Sequence, residues 1–385
     1  MKNVLLYYPF SFSFGGGDLL PLCLIAALQN VCRLTVALDI APNLEKASKL
    51  FGIEIDMSRI KVVQVTPSDY NPKKHNLLSS IRRDRRIKAL AKRCDICIST
   101  ANITDFGRPG HHFINMLAFG DDAFTAHVTK RREGLSARIR RAVMERVARP
   151  LLGMRSKRDM IRDRREHIYP NSRYVEKTMT DFYGKFNSTV FYPPTLFETG
   201  CANVARDPLK VVYIGRIIPE KRIKDLVAII EKARENTGLD IRFHVAGRLD
   251  QTPAYGRELE AMAQTRPWLK FTGALYAEAK AAFLLSGSYA LHAERIEAFG
   301  ISVAEYLASG NIAIVPDEGG SSEVVATSAL AYRNLEEAAM ILSRLLTDGK
   351  FRDEQRRACA DRAKLFSRGA YMSRQHELVE RLLRG

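Results

Sequence analysis

Short apolar segments rich in valine, isoleucine and tyrosine alternate with longer segments of helical period, and this alternation occurs twice along the chain. The pattern is typical of βαβ units, in which helices connect parallel strands. In the first half it predicts strands at 3–8, 33–39, 60–65, 95–99, 112–117 and 167–171. In the second half it predicts strands at 210–214, 241–246, 268–271, 288–292 and 311–315. We therefore predict an α/β protein with two Rossmann-like, doubly wound domains.

The boundary between these domains is predicted near residues 193–209. Pro193-Pro194 and the polar run from Thr199 to Pro208 disfavour helix on either side. The division gives domains at 1–195 and 196–385, each of a size that one core can support. Helices are predicted at 18–30, 77–93, 135–149, 172–183, 222–236, 254–264, 276–285, 301–309, 334–347, 350–364 and 370–384. The last of them is expected to pack back on the first domain.

Positive charge is concentrated in the first half of the chain. The chain has 60 Lys and Arg residues, and residues 1–195 hold 33 of them against 18 acidic residues. Fourteen of these basic residues fall in 130–165, where apolar residues recur at every fourth position from Leu135 to Val147. This spacing predicts an amphipathic cationic helix whose apolar stripe faces either the core or an anionic membrane surface. The first domain is therefore expected to face an acidic partner.

Several classes of protein are disfavoured by the sequence. The six cysteines are scattered through the chain, at Cys23, Cys32, Cys94, Cys97, Cys201 and Cys359. That density is not typical of a disulfide-stapled domain, and Cys94 and Cys97 lack the second pair that a zinc site would need. The scattered cysteines fit a reducing, cytoplasmic location, and peripheral attachment to the inner face of the membrane is left open. No stretch approaches the roughly 20 apolar residues of a membrane span, so no membrane-spanning segment is expected. Nucleic-acid binding is disfavoured because no aromatic residues are interleaved with the basic ones.

Two cations follow the first strand of the second half. Gly215-Arg216 ends the strand predicted at 210–214, and Lys221 stands at the start of the next helix. Open α/β sheets bind ligands at the carboxyl ends of their strands. An arginine and a lysine there can clamp a diphosphate, although such a pair is also common on protein surfaces.

Two glutamates bracket the start of a later helix. Glu297 falls in the turn before the helix and Glu305 lies two turns inside it. The helix N-terminus between them is formed by Phe299, Gly300 and Ile301. Its free backbone N–H groups favour an anion, and the two carboxylates can accept hydrogen bonds from sugar or ribose hydroxyls. Taken alone, the two glutamates would equally fit an exposed helix.

The second half resembles family 4 of the retaining glycosyltransferases, also called group 1. The resemblance rests on an ordered set of motifs: G-R-x4-K at 215–221, F-x-G at 271–273, E-x7-E at 297–305 with F-G-I inside it, A-x-G at 308–310 and G-G-x2-E-V-V at 319–325. It implies the GT-B fold, in which two Rossmann-like domains face each other across a cleft. The second domain is then expected to hold most of a nucleotide-sugar donor, and the first domain the acceptor.

The first half is similar to the same family in fewer positions. Gly15-Gly16-Gly17-Asp18 resembles the family's glycine-rich donor loop, so Gly16 and Gly17 are expected near the donor, although glutamate is more usual than Asp18. The family often has a histidine after the middle strand of this domain, where Asn115 stands here. Either His112 or His127 could take its place on the acceptor side.

The resemblance implies a retaining hexosyltransferase. The hexose, with mannose favoured by family habit, would move to a glycan or lipid-linked acceptor in cell-surface polysaccharide or lipopolysaccharide synthesis. Glu305 is expected on the ribose and Glu297 on the transferred sugar. Arg216 and Lys221 are expected on the diphosphate, near Gly215 and residues 299–301. No Asp-x-Asp triplet occurs, so neither a metal nor another cofactor is expected. A sugar-nucleotide epimerase, a phosphorylase and a basic nucleic-acid-binding protein are the alternatives.

Overall fold

The chain divides into two compact units in a computed structural model. Unit 1 comprises Met1–Pro193 and Met372–Gly385, and unit 2 comprises Pro194–Tyr371. The structure describes residues 1–10, 12, 15–40, 44–66, 77–117, 121–130, 134, 136, 139, 142–143, 149–195, 205–249 and 253–384. Most residues of the predicted helix at 135–149 and much of the predicted linker, including Cys201, lie outside the described residues.

Unit 1 is built on a parallel sheet of six strands in the order β3-β2-β1-β4-β5-β6. The strands are β1 (Asn3–Tyr8), β2 (Arg33–Leu38), β3 (Ile60–Gln64), β4 (Ile96–Ser99), β5 (His111–Ile114) and β6 (His167–Pro170). The central strand β1 has five consecutive buried residues, Val4 to Tyr8, because helices cover both faces of a parallel sheet. Strand β5 begins one residue earlier and ends three residues earlier than the strand predicted at 112–117.

The helices of unit 1 connect these strands. They are α1 (Leu19–Leu28), α2 (Leu44–Phe51), α3 (Leu77–Ala91), α4 (Asp122–Val128), α5 (Arg149–Leu151), α6 (Lys157–Arg162) and α7 (Arg173–Tyr183). Helix α1 is apolar on almost every face and contributes seven buried residues to the core. Ser172 precedes helix α7, and its side chain accepts the Val175 N–H and so caps the first turn of the helix.

Unit 2 repeats the architecture with the strand order β12-β11-β10-β7-β8-β9, again all parallel. The strands are β7 (Lys210–Ile214), β8 (Arg242–Ala246), β9 (Leu269–Phe271), β10 (Tyr289–Leu291), β11 (Ile312–Pro316) and β12 (Ala331–Tyr332). The helices are α8 (Ile223–Thr237), α9 (Pro253–Gln264), α10 (Ala277–Ser286), α11 (Ile301–Ala308), α12 (Gly320–Val325), α13 (Leu335–Thr347), α14 (Gly349–Ala363) and α15 (Arg368–Arg384). The last of these, α15, begins in unit 2 and belongs to unit 1 from Met372 onward.

The two sheets share one topology. Numbered within each unit, the strands run in the order 3-2-1-4-5-6, so the chain reverses its direction of travel between the first and fourth strands. This switch point lies between β1 and β4 in unit 1 and between β7 and β10 in unit 2. Ligands of open α/β sheets bind in the crevice at the carboxyl ends of such a strand pair.

The predicted fold class is confirmed, since each unit is a parallel six-stranded sheet with flanking helices. One strand was not predicted: β12 is only two residues long and too short to produce a periodic signal. In the part of the chain that the structure describes, no helix combines the length and apolarity needed to cross a bilayer.

Candidate active site

The residues that follow β7 and β10 gather at the switch point of unit 2. Gly215 and Arg216 follow β7, and Lys221 ends a short 3-10 turn that precedes α8. The loop from His292 to Phe299 follows β10 and leads into α11. The structure thus brings Lys221 into contact with the segment that carries Glu297, and it places Arg216 at the same edge of the sheet.

Lys221 bonds two carboxylates at once. Its Nζ donates to Glu297 Oε2 at 2.6 Å and also contacts Glu294 Oε2. The lysine side chain is 14% exposed and the two glutamates 22% and 19%, so the three charges are largely withdrawn from water. Two carboxylates on one ammonium leave this cluster with an excess of negative charge.

Burial and the neighbouring charges shift the pKa values of all three groups. Burial and the neighbouring Glu297 carboxylate raise the pKa of Glu294, although Lys221 opposes the shift. Burial also acts to raise the pKa of Glu297, but the Lys221 ammonium dominates and holds it well below its usual range. Burial lowers the pKa of Lys221, and the two carboxylates more than reverse this. Glu297 and Lys221 therefore stay ionised, while Glu294 is the member that takes up a proton most readily.

His292 completes the cluster. The side chain is 1% exposed, and its Nε2 lies 3.6 Å from Glu297 Oε2, beyond hydrogen-bonding distance. Burial lowers the pKa of His292 to about 4, although Glu297 opposes the shift, so the ring is neutral at pH 7. His292, Glu294 and Glu297 each offer one ligand atom within 4.8 Å of the others, a grouping that could hold a metal ion. An ion there would have to displace the Lys221 ammonium from both carboxylates.

Two consecutive glycines fix the loop that carries Glu297. The Gly320 N–H donates to the Glu297 carbonyl at 2.7 Å. A Cβ at Gly320 would lie 2.2 Å from the Ala298 carbonyl oxygen, and one at Gly319 would lie 2.6 Å from the Arg295 carbonyl oxygen. Gly319 also has a φ of +85°. Only glycine allows the backbones of this turn and this loop to approach so closely.

The N-terminus of α11 is open to a ligand through its backbone. Gly300 precedes the helix with a φ of +94°, and no side chain caps the first turn. Phe299 is buried, and its ring packs edge-on against Phe366 with 5.4 Å between the ring centroids. Ile301 is half-buried. The first turn of α11 can therefore offer peptide N–H groups at this position, while the Phe299 side chain packs in the core.

Glu305 lies on the second turn of α11 and is 4% exposed. Its Oε1 accepts from Lys280 Nζ of α10 at 2.6 Å, which offsets the cost of burying the carboxylate. The next residue, Tyr306, exchanges two hydrogen bonds with the backbone of Ile214 in β7, at 2.8 and 3.2 Å. Helix α11 is thus fixed against the strand that leads to Arg216.

Arg216 differs from Lys221 in its surroundings. It is exposed, and its carbonyl accepts the Tyr213 hydroxyl at 3.3 Å. Gly215 is packed so tightly that a Cβ there would lie 2.7 Å from the same hydroxyl. The backbone of this strand end is therefore rigid, while the guanidinium remains accessible.

The glycine-rich loop of unit 1 forms a 3-10 turn over Gly16–Asp18. Asp18 is buried, and its carboxylate accepts from the Tyr8 hydroxyl at 2.5 Å and from the Gly15 N–H at 3.1 Å. These bonds fix the loop at the carboxyl end of β1. Gly16 and Gly17 are consequently held at the switch point of unit 1.

Gly17→Ala tests the predicted role of this loop. A Cβ at Gly17 would meet no atom within 4 Å, so we expect the melting temperature to change by less than about 2 °C. We expect the KM for the donor to rise about tenfold, because a methyl group would keep the backbone from a ligand. Steady-state kinetics against Gly134→Ala, an equally open glycine, would check this. An unchanged KM would remove Gly17 from the donor loop.

The three acceptor-side candidates lie in different surroundings. His112 is fully buried, with Nδ1 accepting the Thr104 N–H at 3.3 Å and Nε2 lying 3.0 Å from Glu166 Oε2. Both ring nitrogens of His112 are therefore used within the fold. His127 is exposed on α4, where its ring contacts that of Phe182 in a tilted arrangement with 5.1 Å between the centroids.

Asn115 lies directly after β5, at the carboxyl edge of the sheet. Its Nδ2 donates to the Thr100 carbonyl at 2.6 Å, and its own carbonyl accepts from Asn171 Nδ2 at 3.1 Å. These bonds tie together the ends of β4, β5 and β6. Of the three candidates, Asn115 is the one at the edge where a ligand is expected.

Sequence reasoning did not single out Glu294, His292 or Lys280. Glu294 could have been found, because it is a second carboxylate three residues before Glu297 in the same loop. Lys280 gives no such signal, since it lies 25 residues from Glu305 and meets it only through the packing of α10 and α11.

Comparison with known proteins matches this site to a family. Residues 202–366 fit the sequence model of the family described as glycosyl transferases group 1. Unit 2 is a group 1 glycosyl transferase domain. The matched range includes the Lys221 cluster, Glu305 and the turn at Gly319 and Gly320. No curated protein sequence matches the chain.

Solved structures resemble the chain over its length. HepE from Anabaena, solved with UDP and glucose, has a TM-score of 0.70 at 14% identity and covers 100% of both chains. Sucrose-phosphate synthase from Thermosynechococcus elongatus has a TM-score of 0.69 at 14% identity, over 100% of this chain and 99% of that one. WaaG, a glycosyltransferase involved in lipopolysaccharide biosynthesis, has a TM-score of 0.59 at 14% identity, over 94% of this chain and 95% of that one. The glycosyl transferase domain and unit 1 therefore share the fold of GT-B glycosyltransferases.

Proposed function

We propose that the protein is a retaining glycosyltransferase that moves a hexose from a nucleotide sugar to a glycan or lipid-linked acceptor. The observation that carries the proposal is the arrangement at the switch point of unit 2, where cations, carboxylates and an uncapped helix N-terminus meet. The structures solved with UDP and glucose, and the role of WaaG in lipopolysaccharide synthesis, support a sugar-nucleotide donor and a cell-surface product. Mannose remains the favoured sugar from the resemblance alone.

Each group at this site has a proposed task. Glu305 binds the ribose hydroxyls through the oxygen that Lys280 leaves free. Arg216 and the peptide N–H groups of residues 299–301 bind the diphosphate. Glu297 binds hydroxyls of the transferred sugar, and its bond to Lys221 keeps it ionised for that purpose.

Lys221 links the sugar and diphosphate subsites. A diphosphate that approaches Lys221 competes with Glu294, whose raised pKa allows it to take up a proton as it releases the ammonium. Lys221 can then stabilise the leaving group while it still positions Glu297. In the proposed front-side reaction the acceptor oxygen bonds to the anomeric carbon as the carbon–phosphate oxygen bond breaks, and a donor phosphate oxygen receives the acceptor proton. Catalysis then consists mainly of positioning and charge stabilisation.

A transfer assay followed by proton NMR tests this function. The protein would be incubated with UDP-, GDP- or ADP-hexoses and a panel of polyprenyl-pyrophosphate-linked or lipopolysaccharide acceptors. We expect one donor to yield a glycoside with the anomeric configuration of the donor. An inverted product would contradict retention. Conversion of the donor without an acceptor, or sugar-phosphate formation from glycan and phosphate, would instead indicate the epimerase or phosphorylase alternatives.

Glu305→Gln is expected to weaken donor binding. A charge-assisted hydrogen bond is worth about 1.5–3 kcal/mol, so the Kd should rise about 10- to 100-fold. The turnover at saturating donor should change much less, because the ribose does not react. Titration calorimetry with the donor would measure this, with the exposed Glu278→Gln on α10 as control. Equal affinities of the two variants would contradict the ribose assignment.

Metal independence is part of the proposal. Because Lys221 and Arg216 can neutralise the leaving group, we expect excess EDTA to change the transfer rate by less than about twofold. A loss of activity that Mg²⁺ or Mn²⁺ restores would instead place an ion at His292, Glu294 and Glu297. Contact of residues 130–165 with an anionic membrane surface stays a prediction.

A further inference from the structure

A basic cavity lies at the amino edge of the unit 1 sheet. Its volume is about 640 Å³, and its lining includes Asn3, Arg33 and Ile60, the first residues of β1, β2 and β3. Leu90 near the end of α3 and Arg93 just after it also line the cavity. Small-molecule sites commonly have volumes of about 300–1,000 Å³, so an organic ligand has room here. The donor and acceptor residues are expected at the other edge of the sheets, so none of them accounts for this cavity.

All four charged side chains in the lining are basic: Arg33, Arg59, Lys61 and Arg93. Arg59 is paired, since its Nε lies 3.1 Å from Asp56 Oδ2. Within the ranges that the structure describes, the side chains of the other three are exposed and have neither an ion-pair partner nor a hydrogen bond. Three positive charges at the cavity are therefore available to an anion.

The register of the sheet places Arg33 and Lys61 on one face. Lys61 of β3 pairs with Thr35 of β2, and Thr35 lies two residues after Arg33. Residues two apart in a strand, and residues paired across strands, point to the same face. The spacing along and between strands then puts roughly 8 Å between the Cα atoms of Arg33 and Lys61. Two long cationic side chains at that separation can reach one phosphate group from different directions.

Hydrogen bonds fix the loop that carries Arg59. Gln29, directly after α1, donates from Nε2 to the Glu54 carbonyl at 3.1 Å and accepts the Asp56 N–H at 2.8 Å. Arg59 Nη1 donates to Asn30 Oδ1 at 3.0 Å. Arg59 therefore holds a wall of the cavity, and the contacts to a ligand fall to the three cations without partners.

We propose that the basic cavity binds an organic phosphate monoester, with the phosphate group on Arg33, Lys61 and Arg93. Arginine forks and lysine ammonium groups bind phosphate oxygens in proteins. The five non-hydrogen atoms of a phosphate would fill only a small part of the cavity, and the half-buried Leu90 can contact the carbon skeleton of a larger ligand. A free sugar phosphate and the headgroup of phosphatidic acid both carry this monoester. The site lies within unit 1 and does not depend on the proposed function.

Two measurements test the proposal, one for each source of the ester. Calorimetric titration with glucose 6-phosphate at constant ionic strength tests a free ligand. Sedimentation with phosphatidylcholine vesicles, with and without phosphatidic acid, tests a headgroup. Both use the Arg216→Ala protein, from which a donor-side phosphate contact has been removed. We expect saturable binding in at least one of them.

Arg33→Gln, added to that protein, should weaken this binding at least about tenfold, because a charge-assisted hydrogen bond is lost. Arg93→Gln provides a second variant with the same expected loss. Both residues are exposed, so the melting temperature should stay nearly unchanged. Lys92→Gln is the matched control, since Lys92 is an exposed cation next to Arg93 that does not line the cavity. It should change the affinity less than about twofold.

Binding of glucose 6-phosphate alone would identify a free ligand, and binding of phosphatidic acid vesicles alone would identify a headgroup. The proposal is overturned if neither binds, if Arg33→Gln and Arg93→Gln bind as tightly as Lys92→Gln, or if glucuronate binds as tightly as glucose 6-phosphate. Donor binding by unit 2 would survive each of these results. A protein that binds the ester through Arg33 but binds no nucleotide sugar would overturn the proposed function alone.

Discussion

Replacing Arg216 by alanine is expected to lower kcat by about 10²- to 10³-fold, the loss typical of removing one preorganised stabilising group. Arg216 is exposed, so the substitution should leave the melting temperature almost unchanged. The loss should appear in kcat more than in KM, because the charge on the leaving diphosphate develops in the transition state. Steady-state kinetics with a saturating donor would measure the effect.

Lys224→Ala is the matched control for this variant. Lys224 is also a cation of unit 2, but it is exposed on α8 and pairs with Glu258. Its removal should keep turnover within about threefold of the wild type. An Arg216→Ala enzyme that is equally active would contradict the assignment of Arg216 to the diphosphate.

Lys221→Ala is expected to act differently from Arg216→Ala. Its removal leaves Glu294 and Glu297 largely buried without their cation, a change that costs about 3 kcal/mol or more. Activity and stability should therefore fall together in this variant. For this reason Arg216 gives the cleaner test of charge stabilisation.

Gly320→Ala is expected to destabilise unit 2 by about 3 kcal/mol or more, because the added Cβ overlaps backbone atoms that cannot move independently. The Cβ would lie 2.2 Å from the Ala298 oxygen and 2.6 Å from the Phe299 Cα. For a domain of this size, the melting temperature should fall by about 6–12 °C. Because the same contact fixes the loop of Glu297, turnover should fall even below the unfolding transition.

Gly369→Ala is the control for Gly320→Ala. A Cβ at Gly369 meets no atom within 4 Å, and the residue lies in the first turn of α15. Alanine has the higher helix propensity, so the melting temperature should stay equal or rise slightly. If Gly320→Ala melts at the same temperature as this control, the turn at 319–320 does not fix the site as described.

The sequence could predict most of the fold because buried parallel strands are continuous apolar runs. All five residues of β11 (Ile312–Pro316) are buried, and five consecutive residues of β1 are as well. The same reasoning fails for β12, whose two residues carry no period, and for α6, whose six residues lie inside a basic run. The motifs indicated the candidate site because G-R-x4-K follows β7 and E-x7-E follows β10, the two strands at the switch point of unit 2.

The electrostatics of the site could not be predicted in the same way. Lys221 was expected to be available to a diphosphate, yet it bonds Glu297 and Glu294, which lie more than 70 residues later in the chain. That pairing depends on β7 and β10 being neighbours in the sheet, which local pattern does not specify.

Donor binding is the most direct test of the central claim, that the switch point of unit 2 binds a nucleotide sugar. Thermal unfolding would be measured with UDP-, GDP- and ADP-sugars, for the wild type and for Glu305→Gln. A ligand that binds only the folded state at 100 times its Kd adds about 2.7 kcal/mol, or roughly 5–10 °C for a domain of this size. We expect one nucleotide class to give this shift in the wild type and a much smaller one in Glu305→Gln. No shift with any nucleotide sugar, or equal shifts in both proteins, would contradict the account.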